Sequence, residues 1–187
     1  MAEYLHPVKH ANFLRNITSI SKRSHVAISH LHSLSILEVC DKDEQTWVLS
    51  FKDVISTGRA GLIIVGDSDV SPMMKLTGIA ATLLRNFKDA KVISVGMVIS
   101  VLFGNSDEDI DADILLIPDL HLVDMDYTKK EVTKLYAFLL ERFIADKVTI
   151  GYVSDLLSLR KSYGKDFHDL LVEQFDLSHQ TVDSLAA

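Results

Sequence analysis

"GLIIVGDSDVSPMM", residues 61 to 74, places an apolar run before a glycine, a polar turn and the start of a segment with helical spacing. That is the outline of a phosphate-binding loop: strand, tight turn, helix. A working loop of this kind needs a glycine-rich turn that aims backbone N–H groups at phosphates, a lysine for the β- and γ-phosphates, and a Ser/Thr hydroxyl for magnesium. With Gly66 as the first glycine, Ser71 falls at the second glycine, Pro72 at the lysine and Met73 at the hydroxyl. Pro72 is tolerated at a first helical position, where its missing N–H would have been unpaired anyway. The helix is therefore kept while the anion site loses a donor. Asp67 and Asp69 add two carboxylates beside the phosphate position, which raises the cost of holding an anion there. Lys75 lies three residues past the lysine position, nearly a helical turn away, and reaches a ligand only with a shifted loop. We expect Gly66, Asp67, Ser71, Pro72 and Met73 to form a vestigial loop that binds no nucleotide and needs no cofactor.

Outward from this stretch the chain alternates. Apolar runs rich in β-branched residues, at Leu62 to Val65, Val92 to Val95, Ile114 to Ile117 and Val148 to Val153, are separated by segments of helical period. Met73, Leu76, Ala80, Leu83, Leu84 and Phe87 mark one helical face. Leu135, Phe138, Leu139, Arg142 and Phe143 mark another, in a helix from about Thr128 to Ala145 with Asp126 or Thr128 as N-cap. Continuous apolar strands alternating with helices predict a three-layer α/β fold, a parallel sheet with helices on both faces. Upstream, Trp47, Val48, Phe51, Val54 and Ile55 define a helical face ending near Gly58, while "HVAISHLHSLSILEV" fits strand or helix equally. Residues 1 to 44 are too few for an independent domain without staples and are expected to dock on the core or on a partner. Residues 45 to 187 form the α/β domain.

Composition narrows the class. The 187 residues are 48% hydrophobic and 24% charged, with three prolines and eight glycines, as in an ordinary globular protein rather than a disordered one. No run approaches the roughly 18 apolar residues that span a bilayer, and no signal-peptide core precedes Lys9 and Arg15. A soluble, cytoplasmic protein without membrane attachment is the expectation. The single cysteine, Cys40, excludes an internal disulfide and a cysteine zinc site, leaving a buried thiol. The net charge of −7 is uneven: residues 1 to 60 carry seven Lys/Arg against six Asp/Glu, and residues 61 to 187 carry twelve against twenty. An acidic body disfavours a phosphate-tracking surface, so direct nucleic-acid binding is expected to be weak or absent. Lys22 and Arg23 are the only candidate basic patch in the sequence, and they read as a solvated loop.

Other chemistry is sparse. In "DADILLIPDLHLV", Asp119 follows four apolar residues and a proline, the place where phosphate-loop ATPases hold magnesium or activate water, with no adjoining acid to serve as base. "DEDIDAD", residues 107 to 113, has alternate oxygen ligands but lacks the glycine and terminal glutamate of a calcium loop, and reads as solvated. No histidine has a nearby carboxylate at zinc spacing, and His30 and His32, which alternate, read as surface or core residues. No G-x-S-x-G elbow appears.

The C-terminal third, "KLYAFLLERFIADKVTIGYVSDLLSLRKSYGKDFHDLLVEQFD", resembles bacterial replicative helicase loaders and the related transposition ATPases, the IstB-like AAA+ group. Leu135, Tyr136, Leu139, Glu141, Arg142 and Phe143 fit the family's helix, Thr149, Ile150, Ser154, Asp155 and Leu156 its strand and polar tip, and Tyr163 and Gly164 the following turn. With "GRAGLIIVGDS" and "ADILLIPDL" in order, the likeness covers roughly residues 45 to 175. It implies a P-loop NTPase, RecA-like core. The departures are in the chemistry: Asp155 replaces the sensing Asn, and Arg160, the last arginine, precedes Tyr163 where the family's arginine finger follows the turn. An arginine finger alone is worth about 10³ to 10⁵ in phosphoryl-transfer rate.

The resemblance therefore implies a non-catalytic AAA+-like adaptor or regulator in DNA replication or transposition. Its partner would be a protein: a replicative helicase, a helicase loader or a related ring ATPase. A second reading is a catalytically dead RecA-like scaffold in a recombination or repair complex. A third is an enzyme with a rewired pocket, in which Asp67, Asp69, Asp119 and Lys75 surround a metal.

Overall fold

The structure, a computed structural model, describes residues 5–66, 69–123 and 126–179. Five strands, β1 (Gly61–Val65), β2 (Ala90–Val92), β3 (Ile114–His121), β4 (Val148–Val153) and β5 (Asp176–His179), form one sheet in the order β2-β3-β4-β1-β5. Every pairing is parallel. Side chains of successive strand residues point to opposite faces, and both faces of this sheet are dry. Leu62, Ile64, Leu116 and Ile150 enter one core, Ile63, Val65, Leu115 and Ile117 the other. The continuous apolar runs are thus explained by burial on two sides.

The first core is closed by α7 (Pro72–Arg85) and by six short helices from the N-terminal part: α1 (Ala11–Arg15), α2 (Ile17–Ser24), α3 (Ile28–Ser33), α4 (Ile36–Val39), α5 (Lys42–Leu49) and α6 (Phe51–Ile55). Every residue of α7 from Lys75 to Arg85 is buried, because the sheet covers one side and α3 and α4 the other. Gly78 makes that second contact possible: a Cβ there would lie 2.5 Å from Val39 Cγ2. Arg85, wholly buried, donates to the carbonyls of Leu31 and Leu34 at 3.3 and 2.8 Å and so ties off the end of α3. The ambiguous stretch after His25 is helical, as α3 and α4. The second core lies under α8 (Val95–Leu102), α9 (Lys129–Ile144), α10 (Leu156–Tyr163) and α11 (Lys165–Gln174).

Several expectations are corrected. The strand expected at Val92 to Val95 is β2, ending at Val92; Ser94 Oγ accepts from Met97 N at 3.3 Å and starts α8 one residue later. An apolar run crossing directly from strand to helix hides that boundary. The single Trp47 helix is two, α5 and α6, broken at Ser50. β3 extends past Ile117 through Pro118 to His121, with an irregular register against β4 that accommodates a residue lacking an N–H. Met73 and Phe87, read as part of the buried face of α7, are 52% and 66% exposed. Met73 stands in the first helical turn, beyond the sheet edge, and Phe87 follows the helix end with φ +60°. β5 was not foreseen, since "DLSH" has no strand signature and is held as an edge by pairing with β1. Thr128, not Asp126, caps α9.

Candidate functional site

In an open parallel sheet, ligands meet the carboxyl ends of the strands, and the sequence-derived site residues collect there. Gly66 follows β1 with φ +100°, a conformation that favours glycine, and its carbonyl accepts from the Tyr152 hydroxyl at 2.7 Å. Ser71 is the N-cap of α7, its Oγ accepting from Met74 N at 3.3 Å, and Pro72 is the first helical residue. The first turn thus spends one amide on Ser71 and lacks another at Pro72. Met73 projects outward. Asp67 lies outside the described residues, and Asp69 is exposed.

Lys75 is turned away from the loop. Its ammonium, 1% exposed, binds Glu44 Oε1 at 3.0 Å and Asp41 Oδ2 at 2.8 Å. Glu44 is completely buried and also accepts from the backbone N–H of Asp41 at 2.8 Å, closing the start of α5. Burial alone would lower the lysine pKa, but the hydrogen bonds to Asp41 and Glu44 outweigh it and hold the ammonium above its ordinary value. Cys40, a buried thiol beside this pair, is pushed up by burial and by Glu44. Lys75 is thereby an internal fastener between α5 and α7.

Asp119 sits on β3, one residue after Pro118. Its Oδ1 accepts from Val95 N, the first amide of α8, at 2.8 Å. Burial raises its pKa against the lowering effect of that hydrogen bond. A carboxylate at a helix N-terminus is electrostatically favourable, so the expected magnesium position anchors a helix here. Asp155 does the same for α10: it accepts from Leu157 N at 3.2 Å and Ser158 N at 2.6 Å. Arg142 is buried, donating to Ala112 O, Val148 O and Thr149 Oγ1 at 2.7 to 3.0 Å, and burial lowers its pKa to about 10. Arg160 is exposed. Of the rewired-metal grouping, Asp67 lies outside the described residues and Lys75 points to Glu44; among the described residues no cluster of three metal-ligating groups occurs.

Other contacts had no sequence signal. His121, 1% exposed, ends β3 with its Nε2 2.9 Å from Ser162 Oγ and its ring edge-on to Tyr163. Burial lowers the His121 pKa. Tyr163 donates to Leu120 O at 3.0 Å, and burial, with Tyr127 and Asp119 nearby, raises its pKa. The acidic run is a clamp rather than a free loop: Glu108 pairs with the buried Lys91, and Asp111 with Lys147. On the same rim as Asp119 and Asp155, Met74, Met97, Val123 and Leu157 join Met73 as exposed apolar side chains.

No protein-family model and no curated protein sequence matches the chain. Solved structures do. AMPPCP-bound DnaA from Aquifex aeolicus superimposes with a TM-score of 0.58 at 11% identity, over 78% of this chain and 49% of that one. A DNA replication initiation factor gives 0.58 at 10% identity over the same shares. The replication initiator DnaA bound to AMPPCP and single-stranded DNA gives 0.54 at 11%, again over 78% and 49%. The chain spans about half the length of these structures. At such identities the likeness is one of fold: an all-parallel α/β sheet with helices on both faces, shared with DnaA.

Proposed function

We propose that this protein is a non-hydrolysing, AAA+-like adaptor or regulator that acts on a DNA replication or transposition ATPase through protein contacts. The observation that carries the reading is the fate of Lys75, locked against Glu44 and Asp41 behind a loop whose lysine and hydroxyl positions hold Pro72 and Met73. The neighbouring folds belong to replication initiators bound to an ATP analogue, one also to single-stranded DNA; here the corresponding edge retains the fold without the phosphate ligands. The exposed Met73, Met74, Met97, Val123 and Leu157 on that edge favour a protein partner, since a nucleotide's phosphates need donors and cations.

The partner class follows from the IstB-like resemblance: a replicative helicase, its loader or a related ring ATPase. Isothermal titration with ATP and ADP in magnesium is expected to show no binding in the micromolar range and no turnover. Saturable micromolar binding, or hydrolysis abolished by Asp119→Ala, sinks the reading. Titration against a purified replicative helicase and its loader is the positive arm, and Met73→Glu with Leu157→Glu is expected to weaken that binding at least tenfold.

A further inference from the structure

A cavity of about 610 Å³ opens between the start of α9 and the α10–α11 turn, on the side of the sheet opposite α7. None of the phosphate-loop residues lines it. Its wall carries three lysines, Lys129, Lys161 and Lys165, and one acid, Asp166. Among the described residues Lys129 and Lys161 make no ion pair, and Lys165 reaches the half-buried Asp169 at 3.8 Å. On a chain of net charge −7, three lysines lining one concavity with a single acid among them leave a local positive excess. The rest of the lining is of another kind: Val132, Tyr136, Tyr163 and Phe167 are largely apolar, while the Thr133 hydroxyl donates to Lys129 O at 2.8 Å and the Ser162 hydroxyl is bound to its own helix and to His121.

We propose that this cavity binds a small organic anion, with an oxyanion head group held by Lys129, Lys161 and Lys165 and an apolar or aromatic body against Val132 and Tyr136. The size lies within the roughly 300–1,000 Å³ of small-molecule sites, which combine an apolar lining with a few convergent polar groups. Lysine serves as a mobile point charge for such head groups, so phosphate and carboxylate share the required chemistry. The wall is rigid where it matters: Tyr163 is tied to Leu120 O, and Ser162 to His121, so the floor is preformed by the end of β3.

Amide-resolved NMR titration of the full chain tests this, with phenyl phosphate, benzoate and inorganic phosphate as probes. The expected result is saturable shifts at residues 161 to 167, at least threefold tighter for an aromatic anion than for inorganic phosphate. The better of phenyl phosphate and benzoate identifies the head group. Lys161→Glu with Lys165→Glu is expected to weaken binding at least tenfold with the melting temperature retained, and Lys129→Ala serves the same purpose if that pair fails to fold. Added salt must weaken binding as well. Absence of saturable shifts at these residues, or affinity indifferent to both the lysine variants and salt, overturns the proposal. Nucleotide-induced shifts at Met73 to Lys75 instead would sink the proposed function and leave this site standing.

Discussion

The Lys75–Glu44 pair is the contact on which the packing of α5 against α7 turns. Both groups are almost fully buried, and removing one partner leaves the other charge stranded, which costs about 3–5 kcal/mol in comparable pairs. Lys75→Met is therefore expected to lower unfolding free energy in urea by about that amount. Lys75→Met with Glu44→Leu is expected to recover most of it, because no buried charge then remains. Equal loss in single and double variants contradicts this account. Asp119 gives a pH prediction. Its folded-state pKa is raised, so the folded protein keeps a proton that the unfolded chain has released, and stability falls as pH rises from about 3.9 through the folded value. Asp119→Asn keeps an acceptor for Val95 N–H without that penalty. Its stability relative to the native chain is expected to rise between pH 4 and 7 in thermal melts, and a constant difference refutes it.

At the scale of elements, α7 is the central member. It is covered by the sheet on one side and by α3 and α4 on the other, and its apolar period marks only the first of these. Leu76, Ala80, Leu83 and Leu84 were legible as a buried face; the burial of Lys75, Thr82 and Arg85 was not, because polar residues at helical spacing read as solvated until a second layer supplies their partners. Gly78 is the narrow point of that second contact. Gly78→Val forces two branched side chains together and is expected to cost about 1–3 kcal/mol in urea unfolding, the range of overpacked cores. A neutral result means that α4 moves freely on α7.

At the scale of the molecule, the short N-terminal helices and the turn between α2 and α3 contribute Phe13, Val26, Leu31, Ile36 and Val39 to the first core, and Glu44 of α5 neutralises the buried Lys75 of α7. A chain lacking residues 1 to 40 is expected to lose its cooperative thermal transition by circular dichroism, since the outer face of α7 and the carbonyl-bound Arg85 lose their cover. A sharp melt in that variant overturns the expectation.

The parallel three-layer architecture is written in the sequence, because strands buried on two faces must be apolar throughout and their helices must show a period near 3.6. The sequence also carries Pro72 and Met73 where a phosphate-binding loop aligned on Gly66 has its lysine and hydroxyl, a covalent fact that folding leaves unchanged. Asp155 caps its own helix locally, but what most of the other polar residues do is set only in the tertiary structure, by contacts between distant elements. Asp119 became the anchor of α8, Lys75 a buried fastener, Glu108 a clamp on Lys91, and three lysines from separate elements the rim of one cavity. Partners of that kind come from segments up to tens of residues apart, and local periodicity carries no record of distance between elements.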